Sequence, residues 1–178
     1  MTIRIKNKKS LGFTIFELLI VTIIMGILSL IILYNYRKSQ NQFALQRSVY
    51  KLAQDVRRTS EMAMAAKKIG ANLPWGYGVY VNRSVSDKSY IIYADIDGSN
   101  FYEPSNDVVV ETVDLEQRII IQSVNPDPVC INFRKPAPTI KIQSAPGVTS
   151  NLGQIILSDG ATLTKTIEVN PVGMIDIK

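Results

Sequence analysis

The feature that most limits what this chain can become is the run Phe13–Tyr34, FTIFELLIVTIIMGILSLIILY, apolar on every helical face and charged only at Glu17. About 20 such residues in a helix cross the hydrocarbon layer of a bilayer, so a transmembrane helix is predicted over 13–34. The run is longer than the apolar stretch of about 7–15 residues in a secretory signal. Its flank, Ile32-Leu33-Tyr34-Asn35-Tyr36-Arg37, offers no small-x-small cleavage site. Arg4, Lys6, Lys8 and Lys9 precede it with no anion, while Arg37 and Lys38 follow. The positive-inside bias then predicts a cytoplasmic N-terminus and a translocated remainder.

A chain of 178 residues has room for one modest domain beside such an anchor. Its net charge of +5 averages unlike parts: residues 1–12 carry +4, 13–34 carry −1, 35–69 carry +6 and 70–178 carry −4. A basic stem precedes a mildly acidic remainder, so the overall sign does not by itself predict a nucleic-acid surface. Histidine is absent, which removes Ser-His-Asp and Cys-His catalysis and imidazole zinc sites. No phosphate loop or nucleophile–base pair stands in their place, and an enzyme is not expected. The single cysteine, Cys130, cannot form an intrachain disulfide. Within Val129–Phe133 it reads as a small buried residue of a strand.

Glu17 is the anomaly in the apolar run. A carboxylate at the centre of a membrane helix costs about 2.5–3.5 kcal/mol, and less toward the interface. It needs either the headgroups or a partner. The string Gly12-Phe13-Thr14-Ile15-Phe16-Glu17-Leu18-Leu19-Ile20-Val21, behind a short basic leader, resembles the signal of type IV prepilins and type II secretion pseudopilins. The resemblance implies that a prepilin peptidase/N-methyltransferase cuts between Gly12 and Phe13 on the cytoplasmic side and methylates the new amine of Phe13. It places Glu17 at the family's glutamate position. It also implies assembly with other pilin or pseudopilin subunits, from a single-pass location in the inner or cytoplasmic membrane, with the head outside the cytoplasm. Cleavage would create an ammonium at Phe13 about one helical turn from Glu17, able to pair with it or with Glu17 of a neighbouring subunit. Glu17 is therefore expected to recruit and register subunits. At Gly12 the missing side chain would let the peptidase approach the backbone.

Beyond the run the periodicity becomes one-sided. Leu45, Val49, Leu52, Val56, Thr59, Ala63 and Ala66 recur at helical spacing, flanked by Arg47, Lys51, Arg57, Arg58, Lys67 and Lys68. An amphipathic stalk over 35–69 is predicted, with Gly70 as its terminator. The cations suit a solvated face or anionic lipid headgroups. The sharper reading, a DNA-binding minor pilin for DNA uptake, is weakened by the acidic head.

From Trp75 onward the period is two. Strands are predicted over Tyr77–Arg83, Tyr90–Ala94, Val108–Val113, Arg118–Val124, Val129–Arg134, Thr139–Gln143, Gln154–Leu157, Lys165–Val169 and Met174–Ile177. The expected class is α+β, pilin-like: a long N-terminal helix packed on a β-sheet or β-sandwich head over 70–178. The long helix, the motif Trp75-Gly76-Tyr77-Gly78-Val79-Tyr80, paired sheets and a final Gly-x-Ile strand resemble the GspH/FimT-type minor pseudopilins. A proline in the membrane helix and a disulfide loop in the head, frequent in major pilins, are both missing, which points to a minor subunit. Trp75, Tyr77, Tyr80, Tyr90 and Tyr93 are expected to pack in the core or on sheet faces. Asp95, Asp97, Asn100 and Glu103 could hold Ca²⁺ on a glycine turn, although the spacing misses the EF-hand pattern. The favoured reading is a hairpin turn shaped by Asp97-Gly98, with no cofactor. Asn106-Asp107 and Asn125-Pro126-Asp127-Pro128 read as plain turns.

Overall fold

The computed structural model describes residues 12–135 and 139–178, so all of the predicted leader except Gly12 lies outside the described residues. The chain divides into two compact units, the first ending at Ser39 and the second running over Gln40–Lys178. One helix, α1 (Ile15–Met64), belongs to both.

In the first unit every side chain from Phe13 to Tyr34 is exposed. Ile, Val and Thr are only middling helix formers in water. In an apolar solvent, however, each backbone N–H and C=O must be satisfied within the segment, and a helix does that. Two hydroxyls in the run are satisfied internally as well. Thr22 Oγ1 donates to the Leu19 carbonyl (2.8 Å) and Ser29 Oγ to the Met25 carbonyl (2.7 Å). This part of α1 is long and apolar enough to cross a membrane.

In the second unit the stripe predicted from the sequence is the buried face of α1, except for Ala66, which lies beyond the helix end and is exposed. Leu45, Val49, Leu52, Val56, Thr59 and Ala63 are buried, joined by Ser48, Ala53, Asp55 and Met62. Asp55 was not expected there. Its carboxylate accepts the Tyr90 hydroxyl at 2.6 Å, with the Arg58 guanidinium 3.8 Å away. Arg58 also pairs with Glu111 (2.8 Å), and Arg47 makes a two-pronged bond to Glu116.

The helix ends at Met64, earlier than the predicted 69, and Gly70 is not its terminator. Ala66 takes the left-handed conformation (φ 46). Its N–H reaches the Ala63 carbonyl (3.1 Å), and the Lys67 N–H reaches the Met62 carbonyl (3.2 Å). Those two bonds form a Schellman cap with alanine where glycine is usual. The Lys67 carbonyl is then taken by the Tyr77 hydroxyl at 2.6 Å.

Ten strands follow among the described residues: β1 (Gly76–Val81), β2 (Ser89–Asp95), β3 (Val108–Asp114), β4 (Ile120–Asn125), β5 (Val129–Arg134), β6 (Thr139–Ala145), β7 (Val148–Ser150), β8 (Gly153–Ser158), β9 (Thr164–Val169) and β10 (Ile175–Ile177). They form antiparallel sheets of six strands, ordered β3-β2-β1-β5-β6-β7, and of four, ordered β10-β9-β8-β4. All nine predicted strands are present within a few residues; β7 was not predicted. Side chains of α1 and of both sheets share one core. The α+β class follows: a long apolar N-terminal helix and an antiparallel β region after it.

Gly78 explains part of the Trp75–Tyr80 motif. A Cβ there would lie 2.4 Å from the buried Tyr93 ring, which crosses β1 at that point. Tyr77, Tyr90 and Tyr93 are buried as expected. Trp75 is not: its ring is half-exposed, with the Arg134 guanidinium 5.2 Å from its centroid.

Candidate functional site

Gly12, Phe13 and Thr14 precede α1 in non-helical backbone, and all three are exposed. Among the described residues nothing lies within 4 Å of where a Cβ of Gly12 would stand. Thr14 closes the helix start. Its Oγ1 accepts the Glu17 N–H at 3.2 Å, and its carbonyl accepts the Leu18 N–H at 3.2 Å. This is the geometry of an N-cap: a non-helical residue whose carbonyl takes the first intrahelical bond and whose side chain satisfies an orphan donor. Glu17 occupies the first turn, its side chain exposed among apolar neighbours. The three residues singled out from the sequence, Gly12, Phe13 and Glu17, thus stand together. The sequence signal for the capping role of Thr14 is Thr14-x-x-Glu17, the signature of a capping box.

The acidic segment lies in the connection between β2 and β3, residues 96–107, close to the span left between the two predicted strands, with the expected Asp97-Gly98 turn at its start. The carboxylates that converge are those of Asp95, Asp97 and Asp107, each with an oxygen within 4.8 Å of the others. Asp107, read as part of a plain turn, is the third member, while Glu103 is outside the group and accepts the Asn106 side-chain N–H at 2.8 Å. The Asn100 side chain donates to the Gly98 carbonyl at 3.3 Å.

All six oxygens of the three aspartates already accept an N–H. Asp95 takes Gly98 (2.6 Å) on one oxygen, and Asn100 (3.0 Å) with Asn132 (3.2 Å) on the other. Asp97 takes Ser99 (2.9 Å) and Asn106 (3.2 Å). Asp107 takes Ile96 (3.1 Å) and Glu103 (2.8 Å). Three carboxylates are a donor set that suits a hard cation such as Ca²⁺. Here the same oxygens organise the loop backbone. Gly98, at φ +82, supplies the left-handed turn that brings its N–H onto Asp95.

Burial pushes Asp107 up to about 6, against the lowering effect of its two backbone donors. Asp95 is also raised, again chiefly by burial. The more open Asp97 is held low by the Ser99 N–H. Behind the loop, Cys130 is buried beneath the Tyr93 hydroxyl (3.4 Å) and the Tyr102 N–H (3.2 Å). Burial pushes its thiol up to about 12, so it behaves as a packed, unreactive residue.

Searches of family models, curated proteins and solved structures return no match to this chain.

Proposed function

We propose that the chain is a minor pilin or pseudopilin: a membrane-anchored subunit cut between Gly12 and Phe13, methylated at the new Phe13 amine and built into a type IV pilus or type II secretion filament. The observation that carries the reading is an exposed apolar helix bearing one acidic side chain a turn after an open, non-helical Gly12-Phe13 segment. Such a surface has two stable surroundings, lipid before assembly and other apolar helices after it. Association between apolar helices in lipid gains little from hydrophobicity and depends on packing and polar contacts. Glu17 is the polar contact available. In an apolar filament core an unpaired carboxylate is costly, and an ammonium at Phe13 of a neighbour would satisfy it in one register only. The cytoplasmic leader, translocated head, peptidase and fellow subunits named above are the setting this reading requires. Its chemistry is that of a substrate for processing.

Replacing Glu17 with alanine separates the steps. Insertion and cleavage should proceed as in the wild type. Incorporation into sheared filaments should fall at least about ten-fold, because leaving one member of a buried ion pair alone costs about 3–5 kcal/mol. Wild-type incorporation of Glu17→Ala would remove the registering role.

A further inference from the structure

We propose that Thr14 is a positioning residue for cleavage: by capping α1 it keeps the Gly12–Phe13 bond outside the helix, with the Gly12 carbonyl open to attack. This rests on the reading of Gly12–Phe13 as the processed bond.

Attack on a peptide bond needs access to the carbonyl carbon and hydrogen-bond donors free to receive the developing charge on its oxygen. A helix withdraws both, because each carbonyl is tied to the N–H four residues on. Were α1 to begin one turn earlier, the Gly12 carbonyl would accept the Phe16 N–H and lie against the next turn. The observed start avoids this. Gly12 to Thr14 are non-helical, α1 opens at Ile15, and the Thr14 hydroxyl and carbonyl take the Glu17 and Leu18 N–H groups. Among the described residues nothing within 4 Å of where a Cβ of Gly12 would stand imposes that boundary. It is set locally.

The opposing tendency is strong. In apolar surroundings an orphan N–H is penalised, which favours extending the helix upstream until another acceptor is found. In the sequence that acceptor is Ser10, one turn before Thr14. A cap at Ser10 would place Leu11, Gly12 and Phe13 in the first turn and the cleaved bond inside the helix. Two residues resist the shift: Thr14, which offers the nearer cap, and Gly12, the poorest helix former after proline. Gly12 thus has a conformational part in processing in addition to leaving room for the enzyme.

The test uses the full-length chain in proteoliposomes with purified prepilin peptidase, followed by intact mass. Thr14→Val keeps the shape and β-branching but loses the acceptor. Its cleavage should slow about five-fold, the rate equivalent of a cap worth about 1 kcal/mol. Thr14→Ser and Thr14→Asn keep a capping oxygen and should cut within about two-fold of the wild type. A second readout is amide hydrogen exchange at Phe16 in uncut chain held in micelles. It should slow in Thr14→Val, where Phe16 gains the Gly12 carbonyl as acceptor. The inference is overturned if Thr14→Val is cut at the wild-type rate. It is equally overturned if the Ser and Asn variants are as slow as Val with Phe16 exchange unchanged, since the peptidase would then be reading threonine itself. If the wild type also stays full length, the processing reading fails, and this inference with it.

Discussion

Asp107 lies buried with each carboxylate oxygen on a backbone N–H, and its affinity for protons reaches up to about 6. The ordinary aspartate value is about 3.9, so between these limits the folded chain binds a proton that the unfolded chain does not. The associated stability is complete at low pH and is lost as pH rises through 6. Between pH 7.5 and pH 5 the β-rich unit should therefore gain about 1 kcal/mol, read as a melting temperature a few degrees higher. Asp95, also raised, acts in the same direction, while Asp97 and Glu116, held low, matter only under stronger acid. In Asp107→Asn the gain should largely disappear, and a melting temperature that falls between pH 7.5 and pH 5 would contradict the assignment. A second buried acid, Asp55, depends on Tyr90. Tyr90→Phe leaves a buried carboxylate oxygen short of a donor and should cost about 1–3 kcal/mol in denaturant unfolding. Neither acid was legible as a buried residue. The partner of Asp55 lies 35 positions away, and Asn106-Asp107 carries the composition of any surface turn. Tyr77, Tyr90 and Tyr93 were legible because strand alternation packs each against a sheet face: Tyr77 and Tyr90 on the core face, Tyr93 on the opposite one beside Cys130 and Asn132.

At the scale of elements, the strands were readable because β-branched and aromatic residues alternate between Gly, Pro and Asn punctuation. The missed strand, β7, has only three residues beside Gly147 and pairs at the sheet edge, too short for a period to register. The helix end was misplaced for a different reason. Ala66 in the left-handed region has no signature in sequence, whereas Gly70 looks like a stop. Left-handed alanine is disfavoured by roughly 1–2 kcal/mol, part of which glycine returns through its freer unfolded state. Ala66 is exposed, with no packing to lose. Ala66→Gly should therefore stabilise the unit by about 0.5–1 kcal/mol, and destabilisation would contradict the cap. Gly78→Ala tests the opposite kind of site. With its Cβ 2.4 Å from the Tyr93 ring, whose hydroxyl Cys130 and Asn132 of β5 hold in place, it should cost more than about 2 kcal/mol.

For the whole molecule, the sequence divided into parts with different solvents: an apolar run with one acid, a basic stem and an acidic β-rich remainder. The two compact units divide at Ser39, within α1, so the amphipathic stalk belongs to the β-rich unit rather than standing apart from it. What the residues could convey was chemistry: which surface needs lipid or apolar neighbours, and which charge needs a partner. They could not convey the meeting of Asp107 with Asp95 and Asp97, because that depends on how the twelve-residue connection between β2 and β3 folds back on itself. The central claim is that a new ammonium at Phe13 answers Glu17. It is tested most directly by the N-terminal residue and intact mass of the protein recovered from cells. The expected protein begins at Phe13 with one methyl group on its amine; one that still begins at Met1 would overturn the pairing.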